Sequence, residues 1–345
     1  MRKHNIIAVL LVLLLASSML SAASILSRPA ATVNLIRNEA ITTDELDAEY
    51  QKYIAQGAQN ITKRDVLDVL INNAVFLQGA ERDGVTVSDR QVEQLYAQAR
   101  ANASQQAGYS VSDDEFAAEA TRQFGSVDAY KKALKEQMIL EQYLMQEKGS
   151  ELQNIPQPSE GEIASFYRQN QQGFFQAENV KLAHIYIPKS DDEAKNAESM
   201  ELLQSVATDI KAGNITFEKA VAQYSEDESS KNIGGDIGWL TADNTIARQG
   251  WGDAFCDQVL SMEPGDVSDA LESNTGYHIV KVSVHNDAKI LSLSDPVSPE
   301  ESTTIHDYIA QLLYMRNYQI AMNNALNEMV AELRSEAQIN ILYEE

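Results

Sequence analysis

Apolar residues recur at three- and four-residue steps through most of the first 150 positions and again over 305–333, the pattern of amphipathic helices. In VLDVLINNAVFLQGAERDG, Val66, Val69, Leu70 and Leu77 form one stripe, and Gly84 is placed to end that helix in a left-handed conformation. Four hydroxyl residues stand three positions before an acid or glutamine: Thr42/Glu45, Thr62/Asp65, Ser88/Gln91 and Ser112/Glu115. Each is a capping box, in which side chain and backbone of two residues satisfy each other's orphan groups, so several short helices are predicted. A further helix is predicted over 126–148, with Tyr130, Leu134, Met138 and Leu144 inward, and ATVNLIRNEAIT before the first helix alternates as a short strand or arm.

The Pro-containing break NIPQPSEGE precedes a helix opened by Ser159/Glu162, and near residue 178 the pattern changes. VKLAHIYIP is strand-like, 191–212 is a helix closed by Gly213, 217–224 is a shorter one, and a helix near 255–262 leads through EPGD to the β-branched run GYHIVKVSV. This is an α+β unit. At Ser298-Pro299-Glu300-Glu301 a capping box coincides with a proline at the first helical position, which predicts the start of the last, long helix there. Its stripe, Ile305, Tyr308, Ile309, Leu312, Met315, Met322, Leu326, Met329 and Leu333, must be buried. Two partners fit: a coiled-coil seam with a second subunit, or the N-terminal helices, which would make the helical domain discontinuous with the α+β unit inserted in it.

Composition narrows the function. The 345 residues carry 27 Lys+Arg against 51 Asp+Glu, a net charge of −24, which leaves no basic surface for phosphate neutralisation and excludes nucleic acid as a partner. Arg2 and Lys3 precede an apolar run over 6–15, and Ser21-Ala22-Ala23 supplies small residues for cleavage, so residues 1–23 are expected to be an export signal. An uncleaved anchor is the competing reading, although residues 6–20 fall short of the roughly 20 that a spanning helix needs. The single cysteine, Cys256, forms no internal disulfide, and the five histidines show no zinc-site spacing; no metal and no cofactor is expected.

GGDIGW, residues 234–239, is the chemistry-bearing stretch. It is not a nucleotide loop: neither glycine fingerprint is present, and Glu226, Asp227, Glu228 and Asp236 would repel phosphate. Ending on Ile237-Gly238-Trp239-Leu240, it reads as a tight turn into a short strand. His184 shares a strand face with Val180, Leu182 and Tyr186, where a histidine is either a satisfied core residue or a catalyst. Asp227 lies in SEDESS, a run that would otherwise be a solvated loop, and Ser225 and Ser273 read equally as plain turn and strand hydroxyls.

AHIYI, FEKAVAQYSEDESS, GGDIGW, FCDQVLSMEPGDVS and NTGYHIVKV, in this order and spacing, resemble the parvulin-type (PpiC-like) peptidyl-prolyl cis-trans isomerase domain over roughly 180–290. The exported helical region before it and the long helix after it resemble the SurA and PrsA class of extracytoplasmic folding factors. The resemblance implies an α+β fold, a small antiparallel sheet with surrounding helices, inserted in a mainly helical chaperone domain. The boundaries so drawn are 24–178 for the helical part, 179–290 for the isomerase domain and 291–345 for the C-terminal helix. It implies a site of His184, Asp227, Ser273 and His278, with Ile237, Trp251, Phe255 and Thr275 contacting substrate; Trp251 stands near a position the family usually gives to Met. The stretch between Trp239 and Phe255 is longer than the family's loop, and PKSDDEAKNA carries acids where phosphate-directed relatives carry bases, which argues against a phosphoserine-proline substrate.

The function implied is an exported folding factor that isomerises X-Pro bonds and holds unfolded chains, its partners extended polypeptides of exported or outer-membrane proteins in the periplasm or another extracytoplasmic space. The alternative is a chaperone whose isomerase-like domain only binds peptide. The long helix leaves a homodimer open.

Overall fold

The computed structural model describes residues 27–344, so the expected export signal lies outside the described residues. The fold class is α+β as expected, in two compact units: one holds the chain up to Gln157 together with Tyr314 onward, and the other, Pro158–Leu313, is inserted between those parts. Residue 178, where the sequence places a change of pattern, lies inside the second unit.

In the first unit β1 (Pro29–Asn34) pairs antiparallel with β2 (Asn38–Thr42) and with β9 (Gln338–Ile341). The fully buried Gln78 secures the hairpin turn: its Oε1 accepts the N–H groups of Leu35, Ile36 and Arg37 at 3.0, 3.2 and 3.4 Å, and its Nε2 donates to Glu39 at 3.0 Å. The helices are α1 (Thr43–Ala55), α2 (Lys63–Arg82), α3 (Asp89–Ala107), α4 (Asp113–Phe124) and α5 (Val127–Gln153). All four expected capping boxes open α1 to α4. Val66, Leu67, Leu70, Ile71 and Val75 of α2 pack with Tyr143 and Leu144 of α5, with Ala30, Ala31 and Val33 of β1, and with Ala325, Met329 and Leu333 near the chain's end. A second cluster joins α3, α4 and α5 through Val92, Phe116, Phe124, Tyr130 and Leu134.

The second unit begins with α6 (Glu160–Asn170) and carries a four-stranded antiparallel sheet of order β5-β4-β7-β6. Its strands are β4 (Asn179–Pro188), β5 (Asp236–Thr241), β6 (Leu271–Glu272) and β7 (Gly276–Asn286). Period-two alternation divides the side chains between two cores. Ile185, Ile187, Tyr277 and Ile279 meet α7 (Glu193–Lys211) and α8 (Phe217–Tyr224). Val180, Leu182, Val280 and Val282 meet Phe255, Cys256, Val259 and Leu260 of α10 (Asp253–Leu260). A short pair, β3 (Phe175–Gln176) with β8 (Lys289–Ile290), closes the unit beside a cluster of Ile163, Leu291, Ile305, Ile309 and Leu313.

Two expectations are corrected. The last helix, α11 (Ile305–Glu336), starts later than Ser298. Ser298 and Glu301 do bond, at 3.3 Å, but within a loop closed by Val297 N–H to Thr303 O at 2.9 Å and a Pro296–Thr304 bridge. Thr304 caps the helix instead, its Oγ1 accepting the N–H of Asp307 at 3.1 Å. The long stretch before Phe255 is not all loop: it holds α9 (Thr245–Trp251), capped by Asn244, whose Oδ1 accepts from Ala247 N–H at 2.9 Å. Arg248 stays this helix by donating to Ala242 O at 2.7 Å and pairing with Asp253 and Asp257.

Candidate active site

In the β4–β7 pairing Tyr186 stands opposite His278 and His184 opposite Val280, so both histidines and Tyr186 project from the face that meets α10. Asp227 arrives on the segment after α8, which is stitched to β4: Ser225 Oγ accepts the N–H groups of Tyr186 at 3.2 Å and Asp227 at 3.4 Å, and Glu226 N–H donates to Tyr186 O at 2.7 Å. Ser225 is thus more than a turn hydroxyl. It places the acid beside His184.

The glycines of GGDIGW serve the same approach. Gly235 has φ +81°, and its carbonyl accepts the N–H of His184 at 2.8 Å; a Cβ there would lie 2.4 Å from His184 O. Gly276 is held as tightly on the other side, where a Cβ would meet Ile187 O at 2.3 Å and the Tyr186 ring at 2.4 Å.

Four expected residues join in one hydrogen-bonded line. Asp227 Oδ2 lies 3.0 Å from His184 Nε2, His184 Nδ1 lies 3.2 Å from His278 Nδ1, and His278 Nε2 lies 2.8 Å from Ser273 Oγ. Thr275 joins through its Oγ1, 3.2 Å from Ser273 Oγ. The protonation follows from the two ends. Burial alone would raise the Asp227 carboxyl, but the hydroxyls of Ser229 and Ser230, His184 and the Ser229 N–H hold it far below the usual carboxylate range. It is an acceptor, so His184 carries its proton on Nε2 and presents a lone pair on Nδ1. His278 must then donate from Nδ1 and accept at Nε2. Ser273 can meet that need: its Oγ accepts the N–H groups of Thr275 and Gly276, both at 3.1 Å, and its own proton has His278 Nε2 at 2.8 Å as a nearer acceptor than Gly276 O at 3.2 Å. One proton on each ring satisfies all four ring nitrogens. Burial keeps both histidines neutral, pushing His278 down to about 3 with help from the neighbouring His184 and lowering His184 against the pull of Asp227. Each donor points toward Asp227, so the bonds polarise one another.

Aromatic rings cover this line. Phe255 lies 4.6 Å from the His278 ring, Trp251 lies 5.7 Å from Phe255 and 6.4 Å from His278, and Tyr186 lies 4.9 Å from His278 and 5.5 Å from His184. Ile237 and Trp251 pack on the apolar cluster that contains Phe255. Phe255 is only 3 % exposed, so accessible apolar surface comes from the partly buried Trp251 and Ile237. Trp251 O accepts the N–H of Asn274 at 2.9 Å, which ties the end of α9 to the turn carrying Ser273. Tyr186, Ser229 and Ser230 were not among the expected site residues; the alternation of VKLAHIYIP, which puts Tyr186 on the face of His184, was the available signal for the first.

Comparison with known proteins gives this geometry a family. Residues 165–286 match the model of the PPIC-type PPIASE domain, and residues 1–144 match that of the SurA-like N-terminal domain. Relatives named Chaperone SurA include that of Nitrosospira multiformis, 25% identical over 263 residues, covering 72% of this chain and 55% of the relative. That of Saccharophagus degradans is 25% identical over 260 residues, covering 72% and 56%. The chain therefore spans about half the length of the curated relatives it matches. A solved structure described as a SurA-like chaperone of Campylobacter jejuni is 16% identical and superimposes with a TM-score of 0.38, covering 92% of this chain and 99% of its own. This chain carries a PPIC-type peptidyl-prolyl isomerase domain behind a SurA-like N-terminal domain.

Proposed function

We propose that the second unit catalyses cis-trans isomerisation of X-Pro bonds in unfolded polypeptides and that the first unit holds such chains. The observation that carries the catalytic part is the Asp227–His184–His278–Ser273 line, two buried neutral histidines between an ionised carboxylate and a hydroxyl, beneath Trp251, Phe255 and Tyr186. Rotation about an X-Pro bond meets a barrier of about 18–20 kcal/mol because twisting removes the amide resonance. No covalent bond has to break, so catalysis needs only a surface that binds the twisted imide better than either planar form. Apolar surface at Trp251 and Ile237 suits the proline ring, and a line of donors and acceptors with fixed orientation offers polar contacts that need no reorganisation as the imide twists. In this reading His184, His278, Asp227 and Ser273 form the rigid polar floor, Thr275 lies at its exposed end, and Phe255 backs the apolar wall.

We assign the isomerase domain to about 179–290 and the holdase role to the helical part. Clients are unfolded exported proteins, met outside the cytoplasm as the export signal in residues 1–23 directs. Among the described residues no helix is long and apolar enough to cross a membrane. A binding module with little catalysis is the second reading, and one observation favours it: the Trp251 ring stands edge-on to both Phe255 and His278, covering the histidine.

An isomer-exchange assay on an Ala-Pro peptide separates the two. Acceleration over buffer at micromolar protein is expected, and its absence overturns the catalytic reading. His278→Ala and Phe255→Ala are expected to slow exchange by about tenfold or more, the loss that follows from removing about 1.4 kcal/mol of transition-state binding, while suppression of client aggregation persists. Equal loss of both activities would instead indicate misfolding.

A further inference from the structure

Tyr186 touches both histidines of the polar line and the turn that carries Ser273 without being a member of the line. Its ring stacks on His184 at an interplanar angle of 9° and lies 4.9 Å from the His278 ring. Its hydroxyl donates to Thr275 O at 3.0 Å, and its Cε2 fills the space where Gly276 has no Cβ. The turn 273–276 is the segment that brings Ser273 Oγ to His278 Nε2, so the phenol helps to fasten the Ser273 end while the ring braces His184, the partner of Asp227. The Thr275 carbonyl also accepts the backbone N–H of Lys189 at 3.0 Å, and among the described residues the Tyr186 hydroxyl is its one side-chain donor.

We propose that Tyr186 is a positioning residue of this site, which fixes the ring planes and hence the single tautomers of His184 and His278 through a stack on one side and a hydroxyl tether on the other. The proposal rests on the isomerase reading for its effect on rate, but not for its effect on the tautomers. With the tether gone, the backbone bonds of Lys189, Ser273 and Asn274 still hold the turn in place, but Ser273 Oγ is fixed less tightly against His278 Nε2; with the stack gone as well, His184 is freer to turn out of Nδ1-to-Nδ1 alignment.

The full chain labelled with 15N-histidine reports the tautomers directly through long-range imidazole correlations. The wild type is expected to show Nε2–H at His184 and Nδ1–H at His278. Tyr186→Phe keeps the stack and loses the tether: His278 should become a tautomer mixture while His184 stays single, with isomerisation a few-fold slower at unchanged KM. Tyr186→Leu should mix both tautomers and slow exchange by about tenfold. Both histidines keeping their wild-type signals in both variants would overturn the proposal, as would a fall in melting temperature with the tautomers unchanged, which marks a purely structural role. Should Tyr186→Leu fail to fold, the conservative Tyr186→Phe decides alone. A wild type inactive on Ala-Pro would remove the isomerase reading, and the tautomer signals would still judge Tyr186.

Discussion

One ionised carboxylate, Asp227, sets the protonation of two buried histidines, and this makes the second unit sensitive to acid. His278 is held down at about 3 and His184 is also lowered, whereas both titrate near 6.5 in the unfolded chain. As pH falls below about 6.5 the unfolded state binds protons that the folded state refuses, so stability drops. For His278 alone the loss reaches on the order of 3 kcal/mol near pH 4, and protonation of the depressed Asp227 adds to it at lower pH. His278→Asn should flatten the acid limb of a melting-temperature profile; an unchanged limb would show that His278 is not held neutral. His285 behaves oppositely. Its Nδ1 faces Met262 O and its Nε2 faces Glu178, each at 2.9 Å, and two acceptors demand two N–H groups. Burial works against the charge, but these two bonds outweigh it and raise the pKa. The stability it contributes is complete below about 6.5 and lost as pH rises through the raised folded value, so His285→Gln should differ most from wild type in mild acid and least in alkali. Had the two proteins run parallel across pH, the imidazolium assignment would fail. The sequence made the Asp227, His184, His278 and Ser273 set legible through motif order. Ser229 and Ser230 escaped it because an acid within SEDESS looks the same in a solvated loop as under four hydrogen bonds.

Elements were legible where a local rule decides them. Thr42, Thr62, Ser88 and Ser112 cap the helices expected of them because the capping box needs only four consecutive residues. Ser298 shows the limit: its bond to Glu301 forms, but the Pro296–Thr304 bridge holds the segment as a loop, and Thr304 with Asp307 supplies the same chemistry farther on. Tertiary pairing overrode a sound local signal. The glycines of GGDIGW were legible as a turn, but not which of them is indispensable. Gly235 and Gly238 both have positive φ, so alanine strains either by about 1–2 kcal/mol. Only at Gly235 would the new Cβ strike backbone, 2.4 Å from His184 O, whereas nothing lies within 4 Å at Gly238. Gly235→Ala should therefore lower stability by several kcal/mol and abolish isomerisation, and Gly238→Ala should lower it by about 1–2 kcal/mol, as chemical denaturation would show. Equal losses would mean that the approach of residue 235 to β4 is not tight.

At the scale of the whole molecule, the apolar stripe near the C-terminus told that a partner was needed without telling which one, because a stripe has the same spacing whatever covers it. Residues 305–313 bury Ile305, Ile309 and Leu313 in the second unit, and the rest of α11 buries Ala325, Met329 and Leu333 in the first, whereas Tyr308, Leu312 and Met315 of the expected stripe are exposed, because the helix turns a different face to each unit's core. Gly79 on α2 lets Leu333 approach, since a Cβ there would meet the leucine side chain at 2.6 Å. After α11, β9 pairs with β1, the middle strand of its sheet. A chain ended after Leu313 would thus lose two large buried side chains, at about 1.5–3 kcal/mol each, and leave one edge of β1 unpaired. Together with the partly buried Met322, Leu326, Val330, Ile339 and Ile341, which go with them, this loss is comparable to a typical stability of about 5–15 kcal/mol and is expected to unfold the first unit. The second keeps its sheet, both of its cores and the whole polar line, since every member lies between His184 and His278. In the truncated protein, hydrogen exchange should become unprotected in α2 and β1 while β4 and β7 stay protected, with Ala-Pro isomerisation retained and holdase activity lost. Retained protection in α2 would show that the first unit does not need its C-terminal segment. Loss of protection in β4 would show that the inserted unit depends on its host.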